Sequence, residues 1–275
     1  MVEIVKADGS KEAFDESKLL RSLTRSGASG ELAGVVVKDV KKRLVEGMST
    51  GELYRDAFEV LRKTERPAAA RYSLRRAILA LGPTGFPFED FIAEIFKVRG
   101  YSTETDRRVR GFCVEHEVDL IARKEGKCIG AEVKFHNQIG IKSDIKVALY
   151  VHARFEDIID KVKKSGGTCE LDEGWLITNT KFTSDAITFG ECSRLTMIGW
   201  TYPKEGNLQD LIEETKVHPL TVLTTLSKRE KDDLLRNRVV LCKTLQDNQS
   251  VMHKVGIKEH KIDEVLKESN VLCQP

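Results

Sequence analysis

The sequence predicts an α/β chain of the α+β multidomain kind, and three observations carry that prediction. Residues 113–137 hold two runs of alternating polarity joined by the short polar link Lys124-Glu125-Gly126-Lys127, which reads as a β-hairpin. Before the hairpin, Phe88, Phe91, Ile92, Ile95 and Phe96 recur at helical spacing and form one apolar stripe. After it, 174–179 (GWLITN) reads as a buried strand. At 275 residues two or three domains are expected, and the patterning divides the chain at 1–82, 83–203 and 204–275.

Residues 2–6 alternate toward the turn Asp8-Gly9-Ser10, and 11–14 continue as a second short strand. Asp15 can cap a helix beginning at Glu16, whose apolar face is Leu19, Leu20 and Leu23. Ser26 to Gly30 breaks that helix. Residues 37–45 and 51–63 are two further amphipathic helices, the second capped by Ser49 or Thr50. Pro67 opens a fourth, running through Tyr72, Leu74, Ile78 and Leu81 until Gly82-Pro83 stops it. The first segment is therefore small and mostly helical, with two strands and about four helices.

In the second segment, 83–100 is a helix entered by a Pro/Gly turn and ended by Gly. The hairpin follows, then a long helix, a strand at 174–179, a helix at 183–189 and a strand at 194–200. Residues 203–219 are polar and Gly/Pro-marked, a linker with one short helix at 208–215. Short helices follow at 221–237, 239–249 and 260–269.

The hairpin carries the chemistry. Successive side chains on a strand point to opposite faces, so Val118, Leu120 and Ala122 face one way and Glu117 and Asp119 the other. On the next strand Ile129, Ala131, Val133 and Phe135 share one face, and Glu132 and Lys134 the opposite one. Adjacent strands would then set Asp119, Glu132 and Lys134 side by side. Two carboxylates and an ammonium crowded at a sheet end are costly unless something uses them, and a divalent cation held by oxygen ligands is the natural occupant. The backbone carbonyl of Val133 is a reasonable extra ligand. Lys134 could orient a water or offset developing charge. The plainer alternative is a surface hairpin with a Glu132–Lys134 salt bridge. Glu89 sits at the edge of the apolar stripe, where it can reach inward, or serve as a first-turn acid favoured by the helix dipole.

On Phe88-Glu89, the run Glu117-Val118-Asp119-Leu120-Ile121-Ala122 and Ala131-Glu132-Val133-Lys134, the segment from Gly82 to Pro203 resembles the PD-(D/E)XK nuclease superfamily, most closely its Mrr-like restriction endonuclease branch. That resemblance implies an αβββαβ-type mixed sheet with flanking helices. It implies Asp119 and Glu132 as ligands of Mg²⁺ or Mn²⁺, Lys134 assisting the water, and Glu89 as auxiliary acid. The first acidic motif reads His116-Glu117-Val118-Asp119, without the Gly-rich lead of many relatives. His116 could touch substrate or metal, although a lone histidine is more often structural.

The string VKADGSKEAFDESKLLRSLTRSGAS closely resembles the ATP-cone, a nucleotide-sensing module, through Val5-Lys6, Asp8-Gly9, Glu12, Phe14-Asp15 and Lys18-Leu19. The resemblance covers residues 1–81 and implies ATP or dATP as an allosteric ligand, held by Val5, Lys6, Glu12, Asp15, Lys18, Thr50, Arg75 and Arg76. Lys6 and Lys18 would supply ammonium groups for a triphosphate. Where many cones carry a second basic residue after Lys6, this chain has Ala7. Lys254-Val255-Gly256-Ile257 weakly resembles a helix-hairpin-helix turn, which could offer Lys254, Lys258 and Lys261 to DNA phosphates; a packed helical accessory unit is the plainer reading.

Net charge is +2, from 45 basic and 43 acidic residues, so attraction to nucleic acid must come from local patches. Arg107, Arg108 and Arg110 beside the hairpin are one candidate, and Lys142, Lys146 and Arg154 on the long helix another. The six cysteines, at 113, 128, 169, 192, 242 and 273, include no CxxC pair, which argues against structural zinc. Several lie in apolar runs and read as buried thiols in a reducing cytosol. With no signal peptide and no membrane-length apolar run, a cytoplasmic location and no membrane partner are expected.

The expectation is thus a Mg²⁺- or Mn²⁺-dependent endonuclease that hydrolyses phosphodiester bonds in DNA under ATP or dATP control. A homodimer or higher oligomer is expected because cutting a duplex takes two sites. The alternatives are a catalytically inactive, nucleotide-responsive DNA-binding regulator, or a nuclease for RNA or branched DNA.

Overall fold

The computed structural model describes residues 2–165 and 171–273. The expectation for Cys169 falls outside them. The chain forms two compact units, Met1–Ile78 with His218–Pro275, and Leu79–Val217.

The first unit begins with β1 (Glu3–Val5), β2 (Lys11–Ala13), α1 (Glu16–Arg25), α2 (Gly30–Arg43), β3 (Met48–Ser49), α3 (Thr50–Thr64), α4 (Arg66–Tyr72) and α5 (Leu74–Leu79). The strands form a sheet in the order β2-β1-β3, with β1 antiparallel to β2 and parallel to β3. Asp15 caps α1 by accepting from the backbone N–H groups of Ser17 and Lys18. The second helix starts seven residues earlier than its Val-rich stretch suggested, because Ser29 caps it by accepting from Leu32 N at 3.2 Å. Ser49 caps α3 in a capping box with Glu52. The predicted fourth helix is two helices. At Ser73 the backbone N–H reaches the carbonyls of both Ala69 and Ala70, and the hydroxyl donates to Ala70 as well, so the α4 ladder ends there. Leu23, Val36, Val40, Leu53, Ala57 and Leu61 form the core of this part.

The second unit contains α6 (Phe86–Val98), β4 (Ser102–Arg110), β5 (Glu115–Lys124), β6 (Lys127–Lys134), β7 (Lys142–Ser143), α7 (Ile145–Ser165), β8 (Glu173–Thr178), β9 (Lys181–Phe182), α8 (Ser184–Ser193), β10 (Thr196–Ile198) and α9 (Leu208–Thr215). Its main sheet runs β10-β8-β6-β5-β4. The strands β4, β5 and β6 form an antiparallel meander, and β8 and β10 continue parallel to β6. The hairpin closes at Glu125-Gly126, both with positive φ, in the register Leu120↔Ala131 and Ala122↔Ile129. Lys142 lies on β7 rather than on the long helix, because Asp144 accepts from the N–H groups of Lys146 and Val147 and so starts α7 after itself.

Adjacent residues of β8 show how the layers stack. Trp175 meets Phe96 of α6 with ring centroids 5.7 Å apart. A Cβ on Gly174 would overlap the Phe155 ring of α7. Side chains alternate between faces, so α6 and α7 cover opposite faces. Gly130 repeats the pattern: a Cβ there would come within 2.6 Å of Leu171 and 2.8 Å of Phe155. Gly174→Ala is therefore expected to destabilise the protein by about 1–3 kcal/mol through overpacking, read as a lowered Tm by differential scanning calorimetry.

The first unit is completed by a 3₁₀ turn at Leu220–Val222 and by α10 (Lys228–Arg236), α11 (Lys243–Asp247), α12 (Ser250–Lys254) and α13 (Glu259–Cys273). Thr221 donates its hydroxyl to the Ala77 carbonyl at 2.6 Å, and α13 packs on α4. Glu268, buried on α13, accepts from the backbone and hydroxyl groups of Thr224 and Thr225 at 2.6–2.9 Å. Gly256, with φ of +79°, makes the turn between α12 and α13. Among the described residues no helix is long and apolar enough to cross a membrane.

Candidate functional site

The acidic hairpin meets the first helix of its unit at one end of the sheet. Phe88 of α6 packs on Phe135, just past β6, with centroids 5.6 Å apart. That contact sets the next residue, Glu89, beside the end of the strand carrying Glu132 and Lys134. The charges of Asp119 and Glu132 act on Glu89, and those of Asp119 and Lys134 act on Glu132, so these side chains lie in one another's neighbourhood. Burial pushes Glu89 up to about 8, and the negative charge of Asp119 adds to the rise. Burial likewise lifts Glu132 to about 7, again with Asp119 contributing, against the pull of Arg154 and Lys134. Asp119 is raised by burial too, while the Val133 N–H, which donates to it at 2.7 Å, opposes the shift.

Two features differ from the sequence expectation. The ion-pair partner of Glu132 is Arg154 of α7, not Lys134. Arg154 was expected on a solvent-facing basic patch, yet it is only 13 % exposed. Besides the carboxylate it donates to the Glu117 carbonyl at 2.9 Å and stacks over Tyr150 at 4.4 Å, and its Nε is buried without an acceptor. A fourth acid, Asp106 on β4, raises both Glu89 and Asp119 through its charge. It sits at a kink with φ of 53°, between the registered pairs Thr105↔Leu120 and Arg107↔Val118. Neither Arg154 nor Asp106 carries a local sequence signal, because each reaches the cluster only through sheet pairing or helix docking.

The ligand set is a pair plus neighbours. Asp119 and Glu132 are oxygen donors of the kind hard divalent cations prefer. Val133 is held in the sheet opposite Ile177. Among the described residues, no group of three or more His, Cys, Asp or Glu side chains is placed together to hold a metal ion. His116 is structural: its Nε2 lies 2.7 Å from Asp157 of α7, which also accepts from the Cys113 N–H at 2.8 Å. These bonds keep the Asp157 carboxyl well below the usual range. Arg107 and Arg108 are exposed on β4 and pair with Glu104 and Glu115.

Arg154→Met should leave Glu132 buried without its cation. Removing one partner of a buried pair costs about 3–5 kcal/mol. The expected result is a lower Tm at pH 8 than at pH 6, because the uncompensated carboxylate is penalised more when ionised.

The second candidate site lies at the edge of the small sheet. Lys6 and Lys18 converge on Glu12, at 3.2 and 3.0 Å. The Lys18 hydrogen bond is the main reason that the Glu12 carboxyl is lowered. The pairing Val5↔Ser49 brings the start of α3, Thr50, to the same strand end as Lys6. Arg76 donates to the Gly51 carbonyl at 3.2 Å and lies 3.6 Å over the Tyr54 ring, which stacks on Tyr72 at 5.1 Å. Val5, Lys6, Glu12, Lys18, Thr50 and Arg76 are thus gathered. Asp15 is engaged as the α1 cap, and Arg75 is partly buried next to Arg76.

Residues 2–79 match the ATP cone domain family, and residues 218–273 the AF1548-like C-terminal domain family. The chain thus contains a nucleotide-responsive module. An uncharacterized protein of Archaeoglobus fulgidus is 32% identical over 179 residues, which is 65% of this chain and 97% of that protein. The crystal structure of the protein of unknown function AF1548 aligns with a TM-score of 0.55 at 30% identity, covering 69% of this chain and 98% of that one. Protein VC1899 from Vibrio cholerae aligns at 16% identity and a TM-score of 0.30, over 73% of this chain and 52% of that one, which is too distant to support an argument. With this identity over nearly the full length of the Archaeoglobus relative, the chain belongs to the AF1548-like family.

Proposed function

We propose that the Leu79–Val217 unit is a metal-dependent phosphodiesterase of the PD-(D/E)XK type acting on DNA, and that ATP or dATP bound by the cone regulates it. What supports this reading is that the charges of Asp119 and Glu132 act on Glu89, that Lys134 acts on Glu132, and that the proton affinities of all three acids are raised. Such clusters of perturbed carboxylates are characteristic of functional sites. Asp119 and Glu132 are oxygen donors of the chemistry that Mg²⁺ or Mn²⁺ prefers, and with the Val133 carbonyl they would hold such a cation. When bound, the cation would neutralise phosphoryl charge and acidify water. The protein supplies the rest. The Lys134 ammonium offsets charge on the phosphate and positions the attacking water. Glu89 holds a proton at neutral pH.

The Arg154–Glu132 pair favours a second reading, in which the unit binds DNA in response to nucleotide without cutting it, because a cation would have to compete with the guanidinium. Incubation of supercoiled plasmid with the protein, with and without Mg²⁺ or Mn²⁺ and ATP or dATP, decides between them. Metal-dependent nicking or linearisation lost in Asp119→Asn supports the nuclease. Retention of DNA without cleavage supports the regulator. Parallel RNA and branched-DNA substrates establish the polymer, and light scattering with and without nucleotide tests the expected dimer.

A further inference from the structure

Two of the six cysteines, far apart in sequence, meet in the fold. The unit formed by Met1–Ile78 and His218–Pro275 contains two of them, Cys242 and Cys273. Cys242 precedes α11, and Cys273 ends α13. Their Sγ atoms lie 2.8 Å apart, across 31 residues of chain. Disulfide bonds form at about 2.0 Å, so the sulfurs need approach by less than about 1 Å.

The surroundings hold this geometry. Ser269, one turn before Cys273, donates to the Cys242 carbonyl at 2.9 Å and accepts from Gln246 of α11 at 2.9 Å. The two helices are therefore fixed to each other by side-chain bonds beside the sulfurs. The cysteines also differ in character. Cys242 is buried and Cys273 partly exposed. The hydrogen bond from Cys242, with a smaller contribution from Lys243, lowers the Cys273 thiol, whereas Cys242 is raised. A partly exposed thiol whose proton affinity is lowered, next to a buried second thiol, is the arrangement of an attacking and a resolving cysteine.

We infer that Cys242 and Cys273 form a redox modification site, at which a hydroperoxide converts the pair into a disulfide that staples α13 to the start of α11. The Cys273 thiolate attacks a peroxide oxygen, the O–O bond breaks, and the leaving hydroxide takes up a proton as water. The Cys242 sulfur then attacks the resulting sulfenic acid of Cys273. The S–O bond breaks, and the departing hydroxyl leaves as a second water with the Cys242 proton. Two thiols lose two electrons, and one peroxide gains them. Because α13 also carries Glu268 and packs on α4, the staple restrains a helix that bridges both halves of this unit.

The test uses the full, reduced chain treated with hydrogen peroxide and then freed of oxidant. Titration after denaturation should fall from six thiols to four, and non-reducing peptide mapping should join Cys242 to Cys273. The Tm of the oxidised protein should rise by about 5–10 °C and return with dithiothreitol. In Cys242→Ser, dimedone should trap a sulfenic acid at Cys273. Six thiols retained, a disulfide joining other cysteines, or first oxidation at the exposed Cys113 or Cys192 would overturn the inference. The wild-type mapping stands by itself should the variant fail to fold.

Discussion

Asp119→Asn is expected to lower metal-dependent cleavage of plasmid DNA by about 10³-fold while leaving the far-UV circular dichroism unchanged. The magnitude is that of removing one group that stabilises charge at a reacting centre. Asparagine is the informative substitution because the Asp119 carboxylate also accepts the Val133 N–H at 2.7 Å. An amide oxygen can keep that bond, so the sheet end stays closed while the negative charge is lost. Asp119→Ala would orphan the N–H as well, at a cost of about 1–3 kcal/mol, and would mix a folding defect into the activity loss. Equal cleavage by wild type and Asp119→Asn would remove this carboxylate from the chemistry.

The second large effect is a pH dependence of stability in the opposite sense to that of ordinary surface carboxylates. Glu89 is pushed up to about 8 and Glu132 to about 7, against 4.5 for the unperturbed group. Between those limits the folded protein binds more protons than the unfolded chain, so the slope of stability with pH is negative. The stabilisation is fully present below the unfolded value and is lost as pH rises through 7 and 8. Tm is therefore expected to fall between pH 6 and pH 9. Glu89→Gln should flatten the upper part of that fall, by a modest amount because Glu89 is only half-buried and solvent screens it. Mg²⁺ or Mn²⁺ should reverse the loss, since a cation binds the ionised carboxylates and its affinity rises as they deprotonate. Thermal denaturation at pH 6, 7, 8 and 9, with and without Mg²⁺ or Mn²⁺, measures both effects. A flat profile that metal does not change would show that these acids are not strained in the fold.

Much of the acidic hairpin was legible because strand alternation is a local property. A period of two places Glu132 and Lys134 on one face whatever lies around them, and Glu125-Gly126 closes the turn by its own backbone preferences. Helix starts governed by a side-chain cap, such as Asp15 and Ser49, were equally readable. The start of α2 carries no periodic signal: its first turn, Gly30-Glu31-Leu32, is held by the Ser29 cap rather than by an apolar stripe. The break at Ser73 is similar: the serine competes for carbonyls that the sequence pattern assigned to a continuous helix.

The site divides along the same line. Which residue types stand at the ends of neighbouring strands, and hence that two carboxylates and a lysine face a common region, follows from local periodicity, which sets the direction of each side chain. What those charges meet depends on how distant segments pack. Docking of α7 supplied Arg154 to Glu132, pairing of β4 supplied Asp106, and folding of the C-terminal helices brought Cys273 to Cys242. These partners come from segments whose separation along the chain carries no periodic signal, and burial, which shifts their proton affinities, exists only once the layers have closed.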